Sequence, residues 1–143
     1  MGNFEAREAT LTTVEELLAE ARAQIDRLSP AEAQQAAQDG DLLIDIRPLE
    51  QRQRDGLVPG ATIVERNVLE WRLDPEGEHR DPALAHRDRR IILICDEGYQ
   101  SVLAAATLRR FGLDSCDVID GVQGWMAAGL PLEPTLPRSN QPG

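Results

Sequence analysis

The chain has no lysine: all 15 of its basic residues are arginine, set against 25 acidic residues for a net charge of −10. Nucleic acid and anionic membrane both call for a basic face, so neither is expected as a partner. A small anionic substrate remains compatible, because local N–H groups and a helix dipole can hold one inside an acidic protein. Cysteine is almost as scarce. Cys95 and Cys116 are too few for a disulfide framework, and their spacing resembles no metal site. No apolar run approaches the roughly 20 residues of a transmembrane helix. The opening Met1-Gly2-Asn3-Phe4-Glu5 lacks the basic and apolar regions of a signal peptide. It also carries Ala6 where a myristoylation start would have Ser or Thr. A cytoplasmic location is therefore expected, where thiols stay reduced.

What is present is enough for one domain: 143 residues, 41% of them apolar, can bury a full core. The chain is organised around Ile91-Ile92-Leu93-Ile94-Cys95-Asp96-Glu97-Gly98-Tyr99-Gln100-Ser101, followed by a run rich in Ala and Leu. The aliphatic start reads as a buried strand and the Ala-rich run as a helix. Cys95 thus ends a buried strand and faces a turn whose N–H groups lead into a helix N-terminus. That edge is where ligands bind in open α/β sheets, and its dipole favours a thiolate. The plainer reading, a core cysteine that ends its strand, gives way to a reactive thiol on this loop context.

Around this centre the pattern alternates. Thr13 and Glu16 form a capping box, and Val14, Leu17, Leu18, Ala21, Ile25 and Leu28 then predict an amphipathic helix over about 13–28. Ser29-Pro30-Ala31-Glu32 starts a second helix that stops at Gly40. Strands are predicted at Leu42–Ile46, Thr62–Val64, Ile91–Ile94 and Asp117–Ile119. Short helices follow Pro48, Asn67 and Gly121, and a longer one runs from Tyr99 or Gln100 to Phe111. Strand and helix in alternation mean a parallel sheet covered on both faces. Residues 1–10 and 133–143 are expected to be flexible, leaving 11–132 as the domain.

Cys116 is read as a packing residue at the start of its strand, at the opposite sheet edge from Cys95, so the two should not pair. His79 and His86 fall in a polar connection and read as solvated rather than catalytic. Trp71 and Trp125 read as core residues.

Four motifs in order carry a family resemblance: Leu43-Ile44-Asp45-Ile46-Arg47, Val58-Pro59-Gly60-Ala61, the Cys95–Ser101 loop, and Gly121-Val122-Gln123-Gly124-Trp125 with Gly129-Leu130-Pro131. Together they resemble the signature of a rhodanese domain over about residues 28–132. The resemblance implies a five-stranded parallel sheet with helices on both faces. It also implies sulfane-sulfur transfer from thiosulfate, a persulfide or a polysulfide to a thiol or cyanide, with Cys95 as the persulfide-forming nucleophile. A protein acceptor is compatible, and no metal or organic cofactor is implied. By the same resemblance, the amides of Asp96, Glu97, Gly98, Tyr99, Gln100 and Ser101 form the cradle for the charged outer sulfur. Tyr99 and Gln100 stand at its rim. Arg47 is a further candidate for the pocket, although pinning the next helix through an ion pair is its favoured role.

Two features beside the thiol depart from the family pattern. Gln100 stands where many active members have Arg, while Asp96 and Glu97 add negative charge beside the thiol. Both changes should disfavour the thiolate and dianionic thiosulfate, and favour a less charged donor. Related phosphatases need Arg after Cys and five residues, a position held here by Ser101, so phosphatase chemistry is disfavoured. The alternative function is a persulfide carrier or regulatory binding module that docks a protein partner with little turnover.

Overall fold

Residues 11–135 are described by a computed structural model, so the expectations for residues 1–10 and 136–143 lie outside the described residues. The predicted capping box forms at Thr13, whose hydroxyl accepts the Glu16 N–H while the Glu16 carboxylate accepts the Thr13 N–H. It opens helix α1, Val14–Arg22. This helix is shorter than expected, and Arg27–Leu28 is a strand, β1, instead of the helix's last turn. The physical reason lies downstream. Ser29 precedes Pro30 and is extended at φ −66° and ψ 160°, as a residue before proline prefers. The chain therefore enters the second capping box in an extended form, and β1 takes up an open edge of the sheet. Helix propensity at Ala23 and Gln24 is overridden by that pairing.

The remaining elements follow the sequence pattern closely. They are α2 (Pro30–Gln38), β2 (Leu42–Asp45), α3 (Leu49–Asp55), β3 (Thr62–Ile63), α4 (Leu69–Leu73), β4 (Arg90–Ile94), α5 (Gln100–Arg109), β5 (Asp114–Val118) and α6 (Gly121–Ala127). A 3₁₀ turn, Arg66–Val68, leads into α4. The five strands form one parallel sheet in the order β1-β5-β4-β2-β3. With six helices among the described residues, the α/β architecture is the expected one.

Register decides which side chains share a face. Leu93 lies opposite Ile44 and Asp117, and Asp117 lies opposite Arg27. One face packs Ile44, Ile46, Ile91, Leu93 and Cys95 against Leu69, Leu73, Ala105 and Leu108 of α4 and α5. The other packs Leu43, Ile92, Ile94, Cys116 and Val118 against Ala33, Val122 and Trp125 of α2 and α6. The α1 helix adds an outer layer, seating Leu18 and Ala21 on Val102 and Ala106 of α5.

Two placements differ from the sequence reading. β5 begins three residues earlier than Asp117, so Cys116 sits mid-strand opposite Ile92 rather than at the far sheet edge. Cys95 and Cys116 are both free, three positions apart along neighbouring strands and on opposite faces. Trp125 is buried and donates its indole N–H to the Pro131 carbonyl at 2.8 Å, but Trp71 is 57% exposed and belongs to the surface. At the C-terminal side, Glu133 exchanges backbone hydrogen bonds with Leu57 at 2.7 and 2.8 Å, which extends the ordered contacts past residue 132.

Candidate active site

Cys95 follows the last residue of the central strand β4, and its loop is fixed by a second turn. Asp120 (φ 61°) and Gly121 (φ 55°) are both left-handed, and they fold the end of β5 back over the Cys95 loop. The Val122 N–H donates to the Cys95 carbonyl at 2.8 Å, and the Gln123 N–H donates to the Asp96 carbonyl at 3.0 Å. A Cβ at Gly121 would collide with the Cys95 carbonyl, so only glycine permits this approach. The Gly121-Val122-Gln123 motif thus holds the Cys95 loop by its backbone.

Cys95 is only 5% exposed, and it lines a cavity of about 170 Å³. Ile46, Pro48, Asp96, Tyr99 and Gln100 form much of its wall. A neighbouring hollow of about 450 Å³ shares Ile46, Pro48 and Gln100 and reaches Trp71. Of the amides of residues 96–101, that of Gly98 is hydrogen-bonded to Sγ, at 3.1 Å. Gly98 has φ 88°, and a Cβ there would lie 2.7 Å from the Asp120 nitrogen.

The candidate residues divide by role. Ser101 is buried beside the thiol, with Oγ 3.2 Å from Sγ and 2.7 Å from Oδ2 of Asp117. Tyr99, Gln100 and Glu97 are exposed at the mouth. Asp96 turns to Arg54 at 2.7 Å and to the Gln123 amide at 2.8 Å, so much of its charge is matched. Arg54 also binds Asp55 at 2.6 Å; these partners hold the guanidinium pKa above its ordinary value and the Asp55 carboxyl below its own, each chiefly through the Arg54–Asp55 hydrogen bond.

Arg47 borders the cavity, but its guanidinium is turned to the protein. It is buried, binds both oxygens of Asp45, and donates to the carbonyls of Gln51 and Gly56 at 3.3 and 2.7 Å. It pins α3 to the end of β2, the role favoured above, rather than offering a fork to a ligand. His79 and His86 are exposed. Among the described residues, no group of three or more His, Cys, Asp or Glu is arranged to hold a metal ion. No helix among them is long and apolar enough to cross a membrane.

Two residues near the thiol escaped the sequence reading. Asp117 is fully buried, and its carboxylate accepts from Ser101, from Arg27 Nε at 2.8 Å and from Arg27 Nη2 at 3.1 Å. Arg27 Nη2 also donates to the Gly98 carbonyl at 3.1 Å. The legible signal was an acid between Cys116 and Val118, at an interior strand position that demands a partner. Arg27 gave no comparable signal, since it lay in a predicted helix.

Comparison with known proteins agrees with this architecture. In solved structures, the chain is similar to a Rhodopseudomonas palustris protein of unknown function, "Possible Tyrosine Phosphatase". That match has 30% identity and a TM-score of 0.79, covering 85% of this chain and 95% of the other. It is also similar to the polysulfide-sulfur transferase homodimer of Wolinella succinogenes, at 26% identity and TM-score 0.65, over 95% and 93% of the two chains. A Pseudomonas aeruginosa thiosulfate sulfurtransferase shares the fold at 20% identity and TM-score 0.67, over 87% of this chain and 23% of that one. Among curated proteins, none matches. The sequence model of the rhodanese-like domain matches residues 29–128, about 70% of the chain, and with the sheet order and the Cys95 loop in place the protein belongs to the rhodanese-like domain family.

Proposed function

We propose that the protein is a sulfurtransferase in which Cys95 takes a sulfane sulfur, carries it as a persulfide and passes it to a thiol or cyanide. The observation that carries this reading is that Cys95 lines a small cavity with the Gly98 N–H on its Sγ. The similarity to a polysulfide-sulfur transferase over nearly the whole of both chains supports it. In the cycle, the Cys95 thiolate attacks the outer sulfur of a donor R–S–S⁻ or of thiosulfate. The donor S–S bond breaks and its electron pair leaves with R–S⁻ or sulfite, while the new S–S bond joins the sulfur to Cys95. An acceptor thiolate or cyanide then attacks that outer sulfur and restores the Cys95 thiolate. Asp96, Glu97, Tyr99 and Gln100 meet the substrates at the mouth, and Ser101 supports the sulfur from below. A cycle of this kind needs reduced cysteines, which suits the cytoplasm.

Phosphatase chemistry has less support. The position that would carry the clamping arginine is Ser101, and the Arg47 guanidinium beside the cavity is consumed by Asp45, Gln51 and Gly56. The exposed rim, with Tyr99 at 55%, favours a protein acceptor among the thiols on offer. Incubation with thiosulfate or polysulfide followed by mass spectrometry should show a gain of one sulfur atom on the Cys95 peptide and none in Cys95→Ser. A sulfur found elsewhere, or none on Cys95 with any donor, defeats the proposal. Sulfur loading and protein binding without turnover to small acceptors would instead identify a carrier module.

A further inference from the structure

We propose that Asp117, clamped by Arg27, is a positioning residue that sets the protonation of Cys95 through the Ser101 hydroxyl. The inference rests on Cys95 being the reactive thiol and assigns a role to two residues beside it. The sheet builds the arrangement. Arg27, Asp117 and Leu93 are cross-strand partners, and Cys95 lies two positions beyond Leu93 on the same face. Arg27 lies on the edge strand β1, just before residue 29, where the family match begins.

The Ser101 hydroxyl has one proton to give. Oγ lies 2.7 Å from the Asp117 carboxylate, which only accepts, and 3.2 Å from Sγ. A charged acceptor at the shorter distance takes the proton. The lone pairs of Oγ then face Sγ and accept the S–H of a neutral thiol. Arg27 fixes this polarity. Its fork holds both Asp117 oxygens, and this hydrogen bond is the largest cause that keeps its own pKa above the ordinary value. Through Nη2 the same guanidinium holds the carbonyl of Gly98, whose N–H is the one on the sulfur.

Loss of the S–H proton to cavity water leaves one hydroxyl proton between two anions, the Sγ thiolate and the Asp117 carboxylate. Only one can be served. The bare thiolate therefore has the Gly98 N–H but no donor from Ser101 while Asp117 is charged. A persulfide escapes this penalty, because its Sγ carries no proton and its charge sits on the outer sulfur in the cavity. The arrangement thus disfavours the empty thiolate and favours the sulfur-loaded state. The other charged and titratable groups around the cavity are Arg47, paired with Asp45 of β2, Asp96, paired with Arg54 of α3, and Glu97 and Tyr99 of the loop, while Asp120 stands behind Gly98. All of them are unchanged in an Asp117 variant.

The test is the pH profile of Cys95 alkylation by iodoacetamide, followed on the Cys95 peptide, in wild type, Asp117→Asn, Ser101→Ala and the double variant. Removing a carboxylate shifts any neighbouring thiol, so the double variant separates that direct effect from the route through Ser101. Asp117→Asn should speed alkylation below the midpoint by about tenfold more in the wild-type background than in Ser101→Ala, a difference of one unit in the midpoint. Equal shifts in the two backgrounds, or no shift, overturn the proposal. A second readout needs no Asp117 variant. The Raman difference between wild type and Cys95→Ser at neutral pH should show a hydrogen-bonded S–H band that moves toward the free-thiol position in Ser101→Ala. A thiolate, or an S–H band unmoved in Ser101→Ala, overturns it. Neither measurement uses a sulfur donor, so failure of Cys95 to load sulfur would defeat the function above and leave these results standing.

Discussion

At the residue scale, the two cysteines show how one side chain meets two different surroundings. Cys95 opens on a cavity, whereas Cys116 is sealed in the opposite face, with burial as the first cause pushing its thiol from 9.0 to about 12. A raised thiol pKa in the fold means that the unfolded chain loses its proton first as pH rises. Stability from this group is complete below about pH 9 and falls as pH approaches 12, by about 1.4 kcal/mol per unit and about 4 kcal/mol in all. Urea unfolding across this range should show a steeper alkaline loss for wild type than for Cys116→Ala, which loses a constant amount instead. Parallel curves would refute the assignment. The place of Cys95 after the apolar run Ile91–Ile94, and the burial of Cys116 as a packing residue, were legible in the sequence. Their separation was overstated, because strand starts are weakly marked and the polar Asp114-Ser115 pair hid the first half of β5.

At the scale of elements, the site depends on where the Cys95 loop meets the turn between β5 and α6. Gly98 and Asp120 touch backbone to backbone there, and a Cβ on Gly98 would sit 2.7 Å from the Asp120 nitrogen at φ 88°. Gly60 is the natural control, since it is left-handed at φ 79° with open space around it. Both Gly98→Ala and Gly60→Ala should lose about 1–3 kcal/mol for the backbone conformation. Only Gly98→Ala should also slow sulfur loading of Cys95 under conditions where both variants are folded, because it displaces the N–H on Sγ. Equal loading rates would place the Gly98 amide outside the chemistry. The glycines of this turn were readable as part of a motif, and helices with capping boxes were readable from their start signals. β1 was not, since two residues have no periodicity. Its pairing partner, β5, lies 90 residues away from Arg27 to Asp117. The Arg27–Asp117 clamp was hidden by the same distance.

At the scale of the whole molecule, alternation alone is enough to predict a covered parallel sheet, since buried parallel strands read as apolar runs. Net charge, in contrast, says little about fold and much about encounter. A chain of charge −10 with Glu97 exposed at the mouth repels a dianionic donor on approach. Asp96 adds less than its charge suggests, because Arg54 and Gln123 bind it. The repulsion reaches about 30 Å at roughly 0.01 M salt and about 10 Å at roughly 0.1 M. The kcat/KM for thiosulfate should therefore rise severalfold between these salt concentrations, while that for an uncharged organic polysulfide stays flat. Arg54→Gln should raise the thiosulfate KM further at low salt by freeing the Asp96 charge, with less effect at high salt. Steady-state rates with both donors at fixed pH decide the matter. A thiosulfate rate that falls with salt would mean that attraction at the cavity outweighs repulsion by the whole surface, and the preference for less charged donors would then be wrong.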